Sequence, residues 1–190
     1  MKRTLIVIAL IAALIAPIWA QNEGTTPDGF GWYMVDSNGI GIYEYKGTAK
    51  VVRIPDRINN LPVVRIDHDA FNPGNGNTSG ITSVVIPSTV TSIGTSAFSR
   101  QSSLTTINFP VGLIAIESQA FNQCTALTSI TLPASITTIG ARAFYNCTAL
   151  TTVTISASVT RIIFGAEAFR GVTNLNAVSV ATLQRVGYVF

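Results

Sequence analysis

The dipeptide Ala-Phe recurs at Ala70-Phe71, Ala97-Phe98, Ala120-Phe121, Ala143-Phe144 and Ala168-Phe169. The three central copies are 23 residues apart, and the outer intervals are 27 and 25 residues. Other positions keep the same phase: Pro87, Pro110 and Pro133, then Val90, Leu113, Ile136 and Val159, then Ile93, Ile116, Ile139 and Ile162. Six residues past the repeated Phe stand Leu104, Leu127, Leu150 and Leu175, followed by Ile107, Ile130, Val153 and Val178. A unit of this length cannot bury its apolar residues alone. Stacked coils, with adjacent strands about 4.8 Å apart, set each apolar residue on its counterpart one coil away. Leu-x-x-Leu-x-Leu-like runs at periods of about 20 to 29 residues indicate a leucine-rich-repeat solenoid. The expected fold is mostly β, with irregular or short helical convex segments. The extra residues fall in loops, the first being the Gly/Asn-rich run 72–80.

Two stretches lie outside the period. Residues 1–20 carry Lys2-Arg3, an apolar run from Leu5 to Ile15, and Pro17 and Ala20 before a polar segment. This is the pattern of a secretory signal peptide, with cleavage expected after Ala20. The apolar stretch is at the lower limit for a membrane span and Pro17 interrupts it, so no span is expected after cleavage. Residues 21–62 are expected to form an N-terminal hairpin cap and the start of the first repeat. The strands 31–35 and 40–45 flank the turn Asp36-Ser37-Asn38-Gly39, and Trp32, Tyr33, Tyr43 and Tyr45 are expected to cover the solenoid end, the alternative being an aromatic binding patch. Residues 63–190 form the solenoid, its last repeat incomplete and without a polar cap. An open end of this kind predicts self-association through Val186, Tyr188 and Phe190, and hence a homodimer, the alternative being that the last residues fold over as a makeshift cap.

The units IPSTVTSIGTSAFSRQSSLTTINFP, FPVGLIAIESQAFNQCTALTSITLP and LPASITTIGARAFYNCTALTTVTIS resemble the BspA-like, treponemal type of leucine-rich repeat. The stretch GIGIYEYKGTAKVVRIPDRINNLPVVRIDHDAF is similar to the opening of such arrays. Asp67 and Glu117 depart from the Gly that Gly94 and Gly140 keep, which predicts strain in two turns. The resemblance implies an exported or surface-displayed binding protein. Several members act as adhesins toward host extracellular-matrix proteins, which makes such a protein the expected partner. Localisation is expected at the cell surface, in the medium or in the periplasm. A periplasmic or structural scaffold that self-associates is the alternative.

The repeat phase also locates a contact face. Between inward strand positions, the outward ones form rows: Thr82, Thr105, Thr128, Thr151 and Asn176; Ser83, Thr106, Ser129, Thr152 and Ala177; Val85, Asn108, Thr131, Thr154 and Ser179. None is charged. Short hydroxyls and amides can hydrogen-bond to a partner with little side-chain entropy to lose, although small polar residues also simply solvate a sheet. The expected ligand-binding residues are Thr105, Thr106, Asn108, Thr128, Ser129, Thr131, Thr151, Thr152 and Thr154. Ice binding is a further reading of ordered Thr rows, disfavoured by their mixed composition and by the curvature usual for such a sheet.

Composition removes other classes. The chain has 12 Lys+Arg, 9 Asp+Glu and one His, a formal charge of +3. Two of the basic residues are in the signal segment, so the remainder is nearly neutral and is not expected to bind nucleic acid. His68 between Asp67 and Asp69 is a turn rather than a catalytic centre, and no phosphate loop, His-Glu-x-x-His or Gly-x-Ser-x-Gly accompanies it. Neither enzyme activity, a cofactor nor a metal is expected. Cys124 and Cys147 share one repeat position and would stack within disulfide range. As equivalent inward residues they are expected to be reduced core thiols.

Overall fold

The computed structural model describes residues 22–75 and 80–190. The expected signal peptide lies outside the described residues. The chain begins with an antiparallel unit, β1 (Glu23–Thr25), β2 (Phe30–Asp36) and β3 (Gly39–Tyr45). A second small hairpin joins β5 (Arg57–Ile58) to β6 (Leu61–Ile66). Its two-residue turn, Asn59-Asn60, has both φ angles positive, which suits Asn and fits the twist of the strands.

From there the chain coils. One face carries β4 (Val51–Arg53), β7 (Ser83–Val85) and β9 (Thr106–Asn108) as a three-stranded parallel sheet, continued by the pair β11 (Ser129–Leu132) and β13 (Thr152–Ile155). A second face carries β6, β8 (Ser92–Ile93), β10 (Ala115–Ile116), β12 (Thr138–Ile139) and β14 (Ile163–Phe164) in register, one residue set per coil. The N-terminal strand β3 pairs in parallel with β6, so the antiparallel unit, together with β5, extends this sheet to nine strands. The solenoid class and its mostly β content match the expectation from the repeat.

The third face has no strands but is bonded from coil to coil as regularly as the sheets. Asp69, Ser96, Gln119, Arg142 and Glu167, two residues before each Phe, all have φ between 55° and 59°. The reversal aims alternate N–H groups along the solenoid axis. Ser96 donates to the Ser118 carbonyl (3.0 Å), Phe98 to Ala120 (2.8 Å) and Arg100 to Asn122 (2.7 Å). These bonds all run from each coil to the next, whereas the parallel sheets donate both ways, as Thr105 does to Thr82 (2.9 Å) and Ile54 to Val85 (3.0 Å). None of these left-handed residues is Gly, so the 23-residue pattern conceals a backbone requirement.

Inside, Phe71, Phe98, Phe121, Phe144 and Phe169 stack with centroids 4.7, 5.2, 5.3 and 5.0 Å apart and planes within 14°. Burial of each ring contributes roughly 1.5–3 kcal/mol, and each ring contact about 0.5–1.5 kcal/mol more. Tyr45 and Phe30 close the column at one end, with centroids 5.3 and 6.5 Å from that of Phe71. Neither Asp67 nor Glu117 takes a left-handed φ, which removes the expected strain. Glu117 instead reaches back one coil, its Oε2 accepting from the Thr95 N–H and hydroxyl, both at 3.1 Å. Where the repeat keeps Gly, the coils approach too closely for a Cβ. One placed on Gly140 would lie 2.4 Å from the Ser118 nitrogen.

The far end corrects two expectations. Residues 177–185 form a helix, α1 (Ala177–Arg185), instead of another strand. The three outward rows therefore end one coil early, and Val178 is 75% exposed rather than inward. The end is also covered. Leu183, Val186 and Tyr188 are buried, and the Tyr188 ring meets Phe169 edge-on at 5.2 Å. Of the three residues expected to form an association surface, only Phe190 is exposed. Val186 and Tyr188 are consumed by the chain's own cap, because an apolar column left open costs more than the ordering of one short helix.

Candidate functional site

Strand alternation builds the candidate face. In β11 and β13, Ile130, Leu132, Val153 and Ile155 point into the core, so Ser129, Thr131, Thr152 and Thr154 point out. Parallel register places Ser129 beside Thr152 and Thr131 beside Thr154, with the strands about 4.8 Å apart. In β9, Thr106 and Asn108 are exposed, beside Ser83 and Val85. The nine residues expected from the repeat phase all lie on this face, and none carries a charge.

The face divides by how its hydroxyls are spent. Thr105 Oγ1 donates to the Thr82 carbonyl at 2.9 Å, and Thr151 Oγ1 to the Thr128 carbonyl at 3.3 Å. Thr106 Oγ1 donates to Ser83 Oγ at 3.0 Å. Thr152 Oγ1 accepts from Asn176 Nδ2 at 3.3 Å. Asn108 brackets one residue of the coil before it, accepting from the Ile86 N–H (2.8 Å) and donating to its carbonyl (3.1 Å). The side chains of Thr128, Ser129, Thr131 and Thr154 have no hydrogen-bond partner among the described residues, and all four are exposed. The centre of the face thus keeps its donors and acceptors for another molecule, while its margins tie coils together. Sequence alone could not separate the two groups, since the same residue types occupy both.

The sheet is interrupted between β9 and β11. Phe109 occupies the inward position that Ile86, Leu132 and Ile155 fill in other coils. The larger ring is only partly buried and packs edge-on against Phe121 at 5.6 Å. Ile107 is likewise only partly buried. An oversized side chain in a close-packed core displaces its own strand, and the ladder breaks after the coil that carries it. The aromatic at 109 was the available signal.

The other sequence candidates are placed as follows. His68 is exposed, its Nε2 2.7 Å from Asp69 Oδ2, while Asp67 accepts from Arg65. Among the described residues no group of three or more His, Cys, Asp or Glu side chains could hold a metal ion. Trp32 and Tyr45 are buried, whereas Tyr33 and Tyr43 lie outward with ring centroids 6.5 Å apart. Burial and a hydrogen bond to Asp67 push the Tyr33 hydroxyl above its usual value. Cys124 and Cys147 are free and buried. Cys124 Sγ donates to the Phe98 carbonyl and Cys147 Sγ to that of Phe121, both at 3.1 Å. Burial raises both thiols, Cys147 to about 12. Among the described residues, no helix is long and apolar enough to cross a membrane.

The family model for the BspA type leucine rich repeat region matches residues 64–189 in six copies. Among solved structures, the chain is similar to the T. pallidum leucine rich repeat protein TpLRR, at 25% identity over 87% of this chain and 92% of that one, with a TM-score of 0.59. It is also similar to a leucine-rich repeat protein from Bacteroides capillosus (27% identity, 72% of this chain, 100% of that chain, TM-score 0.63). A third similar structure is the pneumococcal vaccine antigen PcpA (25% identity, 81% of this chain, 43% of that chain, TM-score 0.65). No curated protein matches the sequence.

Proposed function

Because the chain belongs to the BspA-type leucine-rich repeat family, we propose that it is an exported, non-enzymatic protein that binds a protein partner through the face of β9, β11 and β13. We assign the partner to the host extracellular-matrix class and the chain to the adhesins. The observation that carries this reading is the uncharged face with four uncommitted hydroxyls at its centre, Thr128, Ser129, Thr131 and Thr154. A repeat family of this type suits protein–protein contact, since solenoids bind through extended surfaces. The basic-apolar-small pattern of residues 1–20 supports export. A similar fold serves in PcpA, a vaccine antigen, in keeping with a molecule presented outside the cell.

The test is adhesion of the full chain to immobilised fibronectin, fibrinogen and collagen, compared with the variant carrying Thr106→Lys, Thr131→Lys and Thr154→Lys. All three positions are exposed, so the variant folds. Loss of binding by at least about tenfold, or 1.4 kcal/mol, is expected from three solvated ammonium groups on the contact area. Unchanged binding by the folded variant moves the site off this face.

A further inference from the structure

Apart from the break between β9 and β11, the strand ladders of the solenoid finish at four terminal edges, and three of them are closed. The edge of β13 is met by α1: Val153 donates to the Ser179 hydroxyl (2.9 Å), and Asn176 donates to the Thr151 carbonyl (2.9 Å). Beyond β14, Ile162 donates to the Val186 carbonyl (2.9 Å). At the opposite end of that sheet, β6 is covered by β3. The exception is β4. It pairs with β7 on one side only. Ser83 donates to the Lys50 carbonyl (3.2 Å) and Ile54 to that of Val85 (3.0 Å). In this parallel register the N–H and C=O of Val52 face β7, and those of Val51 and Arg53 face away. The outward groups have no partner among the described residues. They form two donor–acceptor sets about 6.6 Å apart along the edge.

This edge borders a groove of about 540 Å³ between the first coil and the N-terminal unit, with Phe30 and Tyr45 among its lining residues. Val51 is 53% exposed beside it. Arg53 is exposed, as is the adjoining Lys50, and neither is in an ion pair among the described residues. Lys46, also in the lining, is already paired with Glu44 at 2.8 Å. Asp28 is the one acidic lining residue. A row of unpaired peptide groups is a template for another strand, and the two free cations set the charge of the strand it accepts.

We propose that β4 is a second binding site, independent of the hydroxyl face, that takes an extended acidic segment of another protein as an added strand. The segment places a carboxylate against Arg53 and an apolar side chain beside Val51. Its backbone bonds to the outward N–H and C=O of those two residues, lengthening the sheet past its N-terminal edge. A second copy of this chain is the poorer fit, because β4 laid on β4 would gather two Lys50 and two Arg53 side chains.

The test titrates isotope-labelled full chain with the blocked hexapeptides Thr-Val-Thr-Glu-Thr-Thr and Thr-Val-Thr-Lys-Thr-Thr, whose Val and charged residue share one face of a strand, reading amide shifts and hydrogen exchange. In the free chain the Val51 and Arg53 amides should exchange at least about tenfold faster than that of Val52. The acidic peptide should shift these two amides and slow their exchange by about tenfold, while Thr131 and Thr154 stay unmoved. The Arg53→Glu variant should prefer the lysine peptide. The Val51→Pro variant, which lacks only an outward N–H, should lose both peptides. The proposal is overturned if millimolar acidic peptide leaves Val51 and Arg53 unshifted, or if Arg53→Glu does not reverse the preference. It is equally overturned if the two amides are already protected in the free chain in step with a concentration-dependent rise in mass, which gives the edge to a second copy.

Discussion

Gln101, Cys124 and Cys147 occupy one repeat position and perform one task. Gln101 Nε2 donates to the Phe71 carbonyl (2.6 Å) as the two thiols do to those of Phe98 and Phe121. Val172 fills the same place in the next coil without donating. The two carbonyls also accept an N–H from their own coil, so Cys→Val leaves neither unpaired. The thiols do impose a pH dependence. Folded Cys147 is pushed up to about 12 from an ordinary 9.0 by burial, and Cys124 is raised by the same cause. The folded state then holds protons that the unfolded state releases. Stability from this source is full below about pH 9 and is lost as pH rises toward 12. Urea unfolding across that range should show a steeper loss for the native chain than for the Cys124→Val, Cys147→Val double variant. The Phe column is the other residue-scale test. Phe121 lies between stacked neighbours and against Phe109, and Phe121→Ala should cost about 3–5 kcal/mol by urea denaturation.

The helix α1 is the element that the repeat period misassigned. Continuing the 23-residue phase demands a strand at 176–180, yet local signals point elsewhere. Asn176 is an N-cap, its side chain accepting from the Ser179 N–H at 2.8 Å. Gly187, with φ of 104°, follows the last turn. Tyr188 donates to the Leu183 carbonyl and Gly187 to that of Gln184, both at 3.0 Å, the bonding of a Schellman motif. Ser179 then does for β13 what a further strand would have done. Ser179→Ala should leave the buried Val153 N–H without a partner and cost about 1–3 kcal/mol. Asn176→Ala should cost about 1 kcal/mol through the cap. Both are measured by thermal unfolding, and hydrogen exchange of Val153 should accelerate in the first.

For the whole molecule, neutrality of the contact face has a measurable consequence. Binding through uncharged hydroxyls should change by less than about threefold between low salt and physiological ionic strength, since little Coulombic attraction is available to screen. Binding at the β4 edge, which uses Arg53 and Lys50, should weaken over the same range. Salt titration of the full chain against an immobilised matrix protein therefore separates the two surfaces. The solenoid couples them. One sheet face carries both, and its break after Phe109 divides the β4 end from the β11–β13 pair.

The repeat period, read from sequence, determined the coil, the inward columns and the outward rows, because stacking identical units lets a periodic pattern specify contacts between residues 23 apart. It also placed the nine hydroxyl and amide positions on one face. Only the tertiary structure decided which of those hydroxyls are spent on the neighbouring coil, since a Thr that bonds a carbonyl and one that does not are the same letter. The ends were decided there too. A repeat describes what each coil offers its neighbour, and at a terminus there is no neighbour. Whether an edge is closed by Ser179 and Tyr188 or left open at Val51 and Arg53 depends on how non-repeating residues fold back, which no period encodes.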